Sequence, residues 1–214
     1  MMPVMQREWE PLAEPAAEPL AEPAEPAWDI ALLFPAQGAW SEEEYLELTG
    51  NRLVELSHGV VEVLPMPTDS HQAMVAFLYA ALHAYVSTRG LGKVRFAPLR
   101  LRLAPGKFRE PDVLFLAVER DHLRGEKYWS GADVVMEVVS DDDRQRDLVT
   151  KRREYAAAGI DEYWIVDPLE QRITVLCREG DVYVEHGAFV RGQQASSRRL
   201  PGFALAVADV LTAT

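Results

Sequence analysis

The chain has 214 residues, 48% of them hydrophobic, and a formal net charge of −12. That length favours one main domain with enough chain to bury a real core, and the acidity argues against a nonspecific nucleic-acid binder, less so against an enzyme that meets phosphodiesters at a local site. A single cysteine, Cys177, excludes an internal disulfide and a cysteine-based zinc site, and suits a reducing, cytoplasmic setting.

Residues 1–27 carry the run EPLAEPAAEPLAEPAEPA. Pro interrupts helices and little apolar surface is on offer for burial, so a disordered Pro/Ala/Glu-rich tail is expected at 1–27, ahead of a domain at 28–214. The tail's six Glu and one Arg contribute −5, so the rest of the chain is itself acidic. The opening MMPVMQREWE lacks the apolar core of a signal peptide, and no apolar run approaches the length of a membrane span. Export and membrane residence are therefore not expected.

Trp28–Ala39 reads as a connector. Ser41 followed by Glu42, Glu43 and Glu44 has the form of a helix start, and Gly50-Asn51 stops that helix. Leu53–Leu64 predicts a hairpin turning at Ser57-His58-Gly59. A longer helix begins at Thr68, with His71, Met74, Val75, Leu78, Leu82, Tyr85 and Val86 at helical spacing, and ends at Gly90 and Gly92. Lys93–Leu103 is strand-like. Within it Arg100 and Arg102 share one face, where they are candidates for contacts to a phosphate backbone or simply a solvated strand face.

Pro111 leads into a strand over Asp112–Val118, and a loop over Arg120–Gly131 follows. Residues 133–139 read as a strand buried on both faces, because Val134, Val135, Met136, Val138 and Val139 surround a lone carboxylate, Glu137. An ionised Glu there is costly unless a cation, hydrogen-bond donors or a metal compensates it. Asp141, Asp142 and Asp143 cap a helix predicted to run to Ala158. On it Lys151 shares a face with Leu148 and Tyr155, so it points inwards or snorkels along the face. Tyr163–Val166 is a further strand, Arg172–Cys177 and Val182–Glu185 a terminal hairpin, and Leu200–Leu211 a short apolar close. These elements give an α/β or α+β layered domain.

If the strands of Asp112 and Glu137 pair, both carboxylates can face one side and share a hard divalent cation, Mg²⁺ or Mn²⁺. Taken singly, Asp112 also reads as a strand-entry residue, Glu137 as a salt-bridged core acid and Lys151 as a partner of Asp147. The ordered set RLVEL-x-HG-VVEVLP, SHQ at Ser70–Gln72, EPDVLFL, VVMEVVS, DL-x-x-K-x-x-x-Y and GIDEYWIVDP resembles the Uma-two family of the PD-(D/E)XK nuclease superfamily, over roughly residues 40–175. The resemblance implies a restriction-endonuclease-like mixed central sheet flanked by helices, with N-terminal and C-terminal hairpins. It implies a Mg²⁺-dependent endonuclease acting on DNA, with Asp112 and Glu137 as catalytic metal ligands, Glu55 as an additional metal acid and His71 as an accessory residue. Restriction-type nucleases are commonly homodimers. The superfamily's Lys stands two residues past the second acid, which here is Val139. The resemblance therefore assigns that role to Lys151. A non-catalytic interaction or regulatory module on the same fold is the alternative, and a hydrolase of small phosphate esters a third reading.

Overall fold

The computed structural model describes residues 34–48, 53–140 and 144–213. The tail at 1–27, the first part of the connector, the Gly50-Asn51 stop and the aspartates 141–143 lie outside the described residues. The elements belong to one unit, Ala36–Thr214.

The chain enters through helix α1 (Glu42–Leu46), where Ser41 and Glu44 form a reciprocal capping box. The predicted hairpin forms as β1 (Val54–Ser57) and β2 (Val60–Val63). Its turn needs positive φ at both central residues, and His58 and Gly59 adopt 48° and 83°. Helix α2 (Asp69–Thr88) starts on Thr68, whose hydroxyl accepts from the His71 amide at 3.2 Å. Its apolar stripe, including Leu78, Leu82 and Val86, is buried.

The stretch expected as one strand over Lys93–Leu103 is two: β3 (Gly92–Phe96) and β4 (Arg100–Ala104). Pro98 lies between them; it has no amide hydrogen for a ladder, and the chain changes sheets there. β5 (Lys107–Arg109) follows, then β6 (Val113–Ala117), a 3-10 turn at Val118–Leu123 and β7 (Tyr128–Trp129) in the stretch expected as a loop. β8 (Val134–Val138) and β9 (Glu162–Asp167) are fully buried. β10 (Arg172–Glu179) and β11 (Val182–Val190) make the terminal hairpin, β12 (Gln194–Ser196) pairs β13 (Ala204–Ala206), and helix α4 (Val207–Leu211) closes the chain.

The central sheet is mixed, ordered β11-β10-β9-β8-β6-β3, with β8 antiparallel to β6 and parallel to β9. A second sheet, β2-β1-β5-β4-β7, lies beside it. Alternation along β8 divides its side chains between two cores. Val134, Met136 and Val138 join the one that includes α2 and α4. Val135 and Val139 join the other, with Tyr155, Tyr163 and Leu101. Burial of each large aliphatic contributes about 1.5–3 kcal/mol, so the strand is fixed in register and Glu137 is held on the second face. Among the described residues no helix is long and apolar enough to cross a membrane.

The helix expected over Asp143–Ala158 is regular only in its second half, α3 (Lys151–Ala157), and begins with a π turn at Arg146–Thr150. Arg144, just before it, donates to Asp167 at the end of β9 through two bonds of 2.9 and 2.7 Å. Burial raises the proton affinity of Asp167, but the Arg144 guanidinium and the Glu170 amide outweigh it and hold the pKa below its ordinary value. Arg144→Gln is expected to destabilise the fold by about 2 kcal/mol near neutrality. A depressed carboxylate contributes stability above its unfolded pKa, so the gap between variant and wild type should close as pH falls below the ordinary Asp value of 3.8. Urea melts at several pH values measure it.

Candidate active site

The ends of β6 and β8 that adjoin α2 and α3 frame a cleft of about 470 Å³. Asp112 stands one residue before β6 and Glu137 lies within β8. Val113 pairs with Met136, so the two acids are brought to one place by the antiparallel register. The Asp112 amide approaches Glu137 Oε2 at 3.4 Å, and Asp112 Oδ2 accepts from the Val138 amide at 2.8 Å.

Lys151 reaches the same floor from the first turn of α3. Its ammonium lies 2.9 Å from Glu137 Oε1 and 2.9 Å from Asp147 Oδ1. It is 5% exposed and Glu137 3%, so neither snorkels. Burial lowers the affinity of Lys151 for its proton, but Glu137 and Asp147 reverse this and hold it as an ammonium. Burial pushes the pKa of Glu137 up. Lys151 opposes the shift, but Asp112 and Asp147 reinforce it. The Tyr155 hydroxyl donates to Glu137 Oε1 at 2.5 Å and fixes the carboxyl's orientation.

His71, one turn into α2, places Nε2 3.3 Å from Asp112 Oδ2 and 3.2 Å from the Val138 carbonyl. Both neighbours are acceptors, so Nε2 carries the proton. Burial disfavours the charged ring, but its bond to Asp112 and that group's charge raise its pKa overall. His71, which also lines the cleft, thus orients Asp112.

Asp147 is the site residue that reading the chain assigned only as an alternative partner of Lys151. The π turn explains its position. The Lys151 amide bonds the carbonyl of Arg146, one residue further back than an α-helix would give. The Asp147 carbonyl then accepts from the Tyr163 hydroxyl at 3.0 Å instead. π turns are uncommon and frequent at functional sites. The sequence signal was the i, i+4 spacing of Asp147 and Lys151; the extra residue in the turn left no mark in the apolar pattern.

Other predicted residues sit elsewhere. Glu55 is fully buried behind the cleft, bonded to Arg146, 3.5 Å from Arg109 and accepting from the Glu110 amide at 3.0 Å. It does not line the cleft itself and is joined to it through Arg146 and Glu110, which do. Arg100 donates to the carbonyls of Leu46 and Leu48 and lies over the Tyr45 ring at 4.5 Å. Arg102 pairs with Glu42 at 2.9 Å. Both arginines therefore tie β4 to α1, and neither lines the cleft.

Among the described residues no group of three His, Cys, Asp or Glu side chains is placed to hold a metal alone. The donor set nevertheless fits one kind of cation. The floor offers carboxylate oxygens from Asp112, Glu137 and Asp147, with His71 beside Asp112 and Lys151 beside Glu137 and Asp147. A small hard divalent ion taking Asp112 and Glu137 and keeping several waters matches these oxygens.

Comparison with known proteins bears on this cleft. Residues 42–208 match the family model Uma2, described as "Putative restriction endonuclease". Among solved structures, a "putative nuclease belonging to DUF820" from Anabaena variabilis ATCC 29413 superposes with a TM-score of 0.65 at 17% identity, covering 80% of this chain and 97% of that one. At that identity the likeness is one of fold. No curated protein matches the chain.

Proposed function

The chain belongs to the Uma2 family, and from this premise we propose that it is a Mg²⁺-dependent endonuclease that hydrolyses phosphodiester bonds of DNA. The observation that supports the reading is the meeting of Asp112, Glu137 and Lys151 on one cleft floor, from a loop end, a buried strand and a helix. A protein that used this cleft only as scaffold would have no need to gather a half-buried Asp112 and the buried Glu137 and Asp147 around one buried lysine.

In this reading Asp112 and Glu137 hold the ion. When bound, it would supply charge neutralisation at the phosphate and lower the pKa of a water. The protein's own groups do the rest. His71 and the Val138 amide fix Asp112. Tyr155 fixes Glu137. Asp147 keeps Lys151 protonated and oriented, so that its ammonium stabilises the negative charge that grows on the phosphoryl oxygens or orients the attacking water. The floor's burial strengthens each of these interactions relative to water.

Asp112→Asn keeps the acceptor for the Val138 amide and removes the charge. It is expected to abolish Mg²⁺-dependent cleavage of plasmid and oligonucleotide DNA while the thermal melt stays near that of the wild type. Undiminished cleavage by a folded Asp112→Asn protein would overturn the reading.

A further inference from the structure

We infer that the cleft accepts an unpaired DNA strand, with a base unstacked against its rim, rather than an intact duplex. The inference rests on the nuclease reading of the same site and adds the form of the substrate. The cleft's floor is polar and its rim is apolar. Met66, Phe96 and Leu169, all lining the cleft, are 69%, 48% and 58% exposed. Single exposed apolar residues are ordinary, but several around the mouth of one polar recess are a surface awaiting a partner.

Phe96 is built into place. Its ring meets Tyr79 edge-on, with centroids 4.7 Å apart, and Tyr79 in turn stacks with His83. Phe96 pairs with Val113 across the β3–β6 ladder, and the next amide, Ala97, donates to the Asp112 carbonyl at 3.2 Å. A flat aromatic face is thereby tied to the backbone of the residue proposed to bind the ion. A nucleotide matches this pairing, since its base is a flat, largely apolar ring and its phosphate a small polyanion. In a duplex that ring is covered by its neighbours, and exposing it costs a few kcal/mol that a single strand does not require.

Electrostatics point the same way. Gripping a duplex needs rows of uncommitted Lys and Arg along its two backbones. Among the described residues the Lys and Arg that line this cleft are engaged: Arg146 with Glu55 and Glu62, and Lys151 with Glu137 and Asp147. The chain as a whole is at −12. A single strand has lower charge density and relies on stacking for much of its affinity, which suits a cleft whose lining Arg146 and Lys151 are engaged and whose apolar rim presents the Phe96 ring.

The test uses the full chain in Mg²⁺ with an end-labelled mixed-sequence oligonucleotide, alone or annealed to its complement. The single strand is expected to be cut with a kcat/KM at least about tenfold higher. Phe96→Ala should raise the single-strand KM about tenfold and leave kcat within a factor of about three, the size of one lost stacking contact, and Phe96→Tyr should keep both near wild type. Because Phe96 also packs on Tyr79, Leu169→Glu is the companion arm: it sits on the exposed rim and should raise the same KM by repelling the strand. Duplex cut as fast as single strand with Asp112 still required overturns this inference and leaves the nuclease reading standing. An unchanged KM in both rim variants does the same. Cleavage of neither substrate overturns both, and leaves the rim to a protein partner.

Discussion

Glu137→Gln is expected to reduce metal-dependent cleavage by at least about a hundredfold, the scale on which single preorganised electrostatic groups act in active sites. The amide is nearly isosteric. Its oxygen can still accept from Lys151 and from the Tyr155 hydroxyl, which now lie 2.9 and 2.5 Å from Glu137 Oε1. What is lost is the negative charge offered to the ion. The variant should stay folded in the absence of metal, because Asp147 still partners the Lys151 ammonium and the loss of the Glu137 charge is offset by the removal of its ionisation cost. Burial raises the pKa of Glu137 above its unfolded value of 4.5, so ionising it works against the fold as pH climbs above that value, and Gln carries no such cost. Mg²⁺ should raise the melting temperature of the wild type, because binding only the folded state stabilises it by mass action, and should leave the Gln variant unmoved. Melts with and without Mg²⁺, run beside the cleavage assay, separate loss of metal binding from loss of structure. Full cleavage by the folded variant would remove Glu137 from the mechanism.

Lys151→Met is expected to be the most destabilising single change at this site, at about 3–5 kcal/mol, and to abolish cleavage. The ammonium is buried and lies 2.9 Å from both Glu137 and Asp147. Removing it leaves two carboxylates on the cleft floor without their cation, and a stranded buried charge costs more than the intact pair contributes. The loss should shrink in acid. Without Lys151 both carboxylates gain proton affinity, and their desolvation cost disappears once they are protonated. The difference in unfolding free energy between wild type and variant should therefore fall as pH drops from 8 towards 5, as read from denaturant titrations. A second variant, Lys151→Met with Asp147→Asn, should recover part of the stability and none of the activity. A Lys151→Met protein as stable as the wild type at neutral pH would show that the lysine is not the counterion the geometry makes it.

Much of this architecture was legible in the chain. The uninterrupted apolar run around Glu137 specified a strand with both faces covered, because only burial on two sides suits such a run. The hairpin at Ser57-His58-Gly59 followed from turn chemistry, and the long helix from Thr68 from its cap and 3.6-residue stripe. The inward direction of Lys151 was open between two readings and was resolved by packing, with Tyr155 fully buried beside it.

Other features lay beyond any local pattern. β12, β13 and β7 are only two or three residues long, and β7 pairs in parallel with β4, far back along the chain. The arginines 100 and 102 share a strand face as their period-two spacing required, yet what that face meets, the carbonyl ends of α1 and the carboxylate of Glu42, depends on how a helix fifty residues earlier folds back. Glu55 lies on the predicted hairpin, and the resemblance implies it as an additional metal acid. Its burial behind Arg146 and Arg109 comes from the second sheet packing beside the start of the helix that carries Lys151.

The sequence by itself determined the strand that Asp112 leads into, the strand that carries Glu137 and the helix that carries Lys151, since period, caps and turn residues are properties of neighbours along the chain; the ordered motifs carried the family resemblance. The tertiary structure alone decided that β6 and β8 pair in the register that brings the two carboxylates together. It also decided that a π turn sets Asp147 against the same ammonium, and that Phe96 stands at the cleft's mouth. Those relations join residues tens of positions apart, and only the packing of the whole core fixes distances between groups the chain keeps far apart.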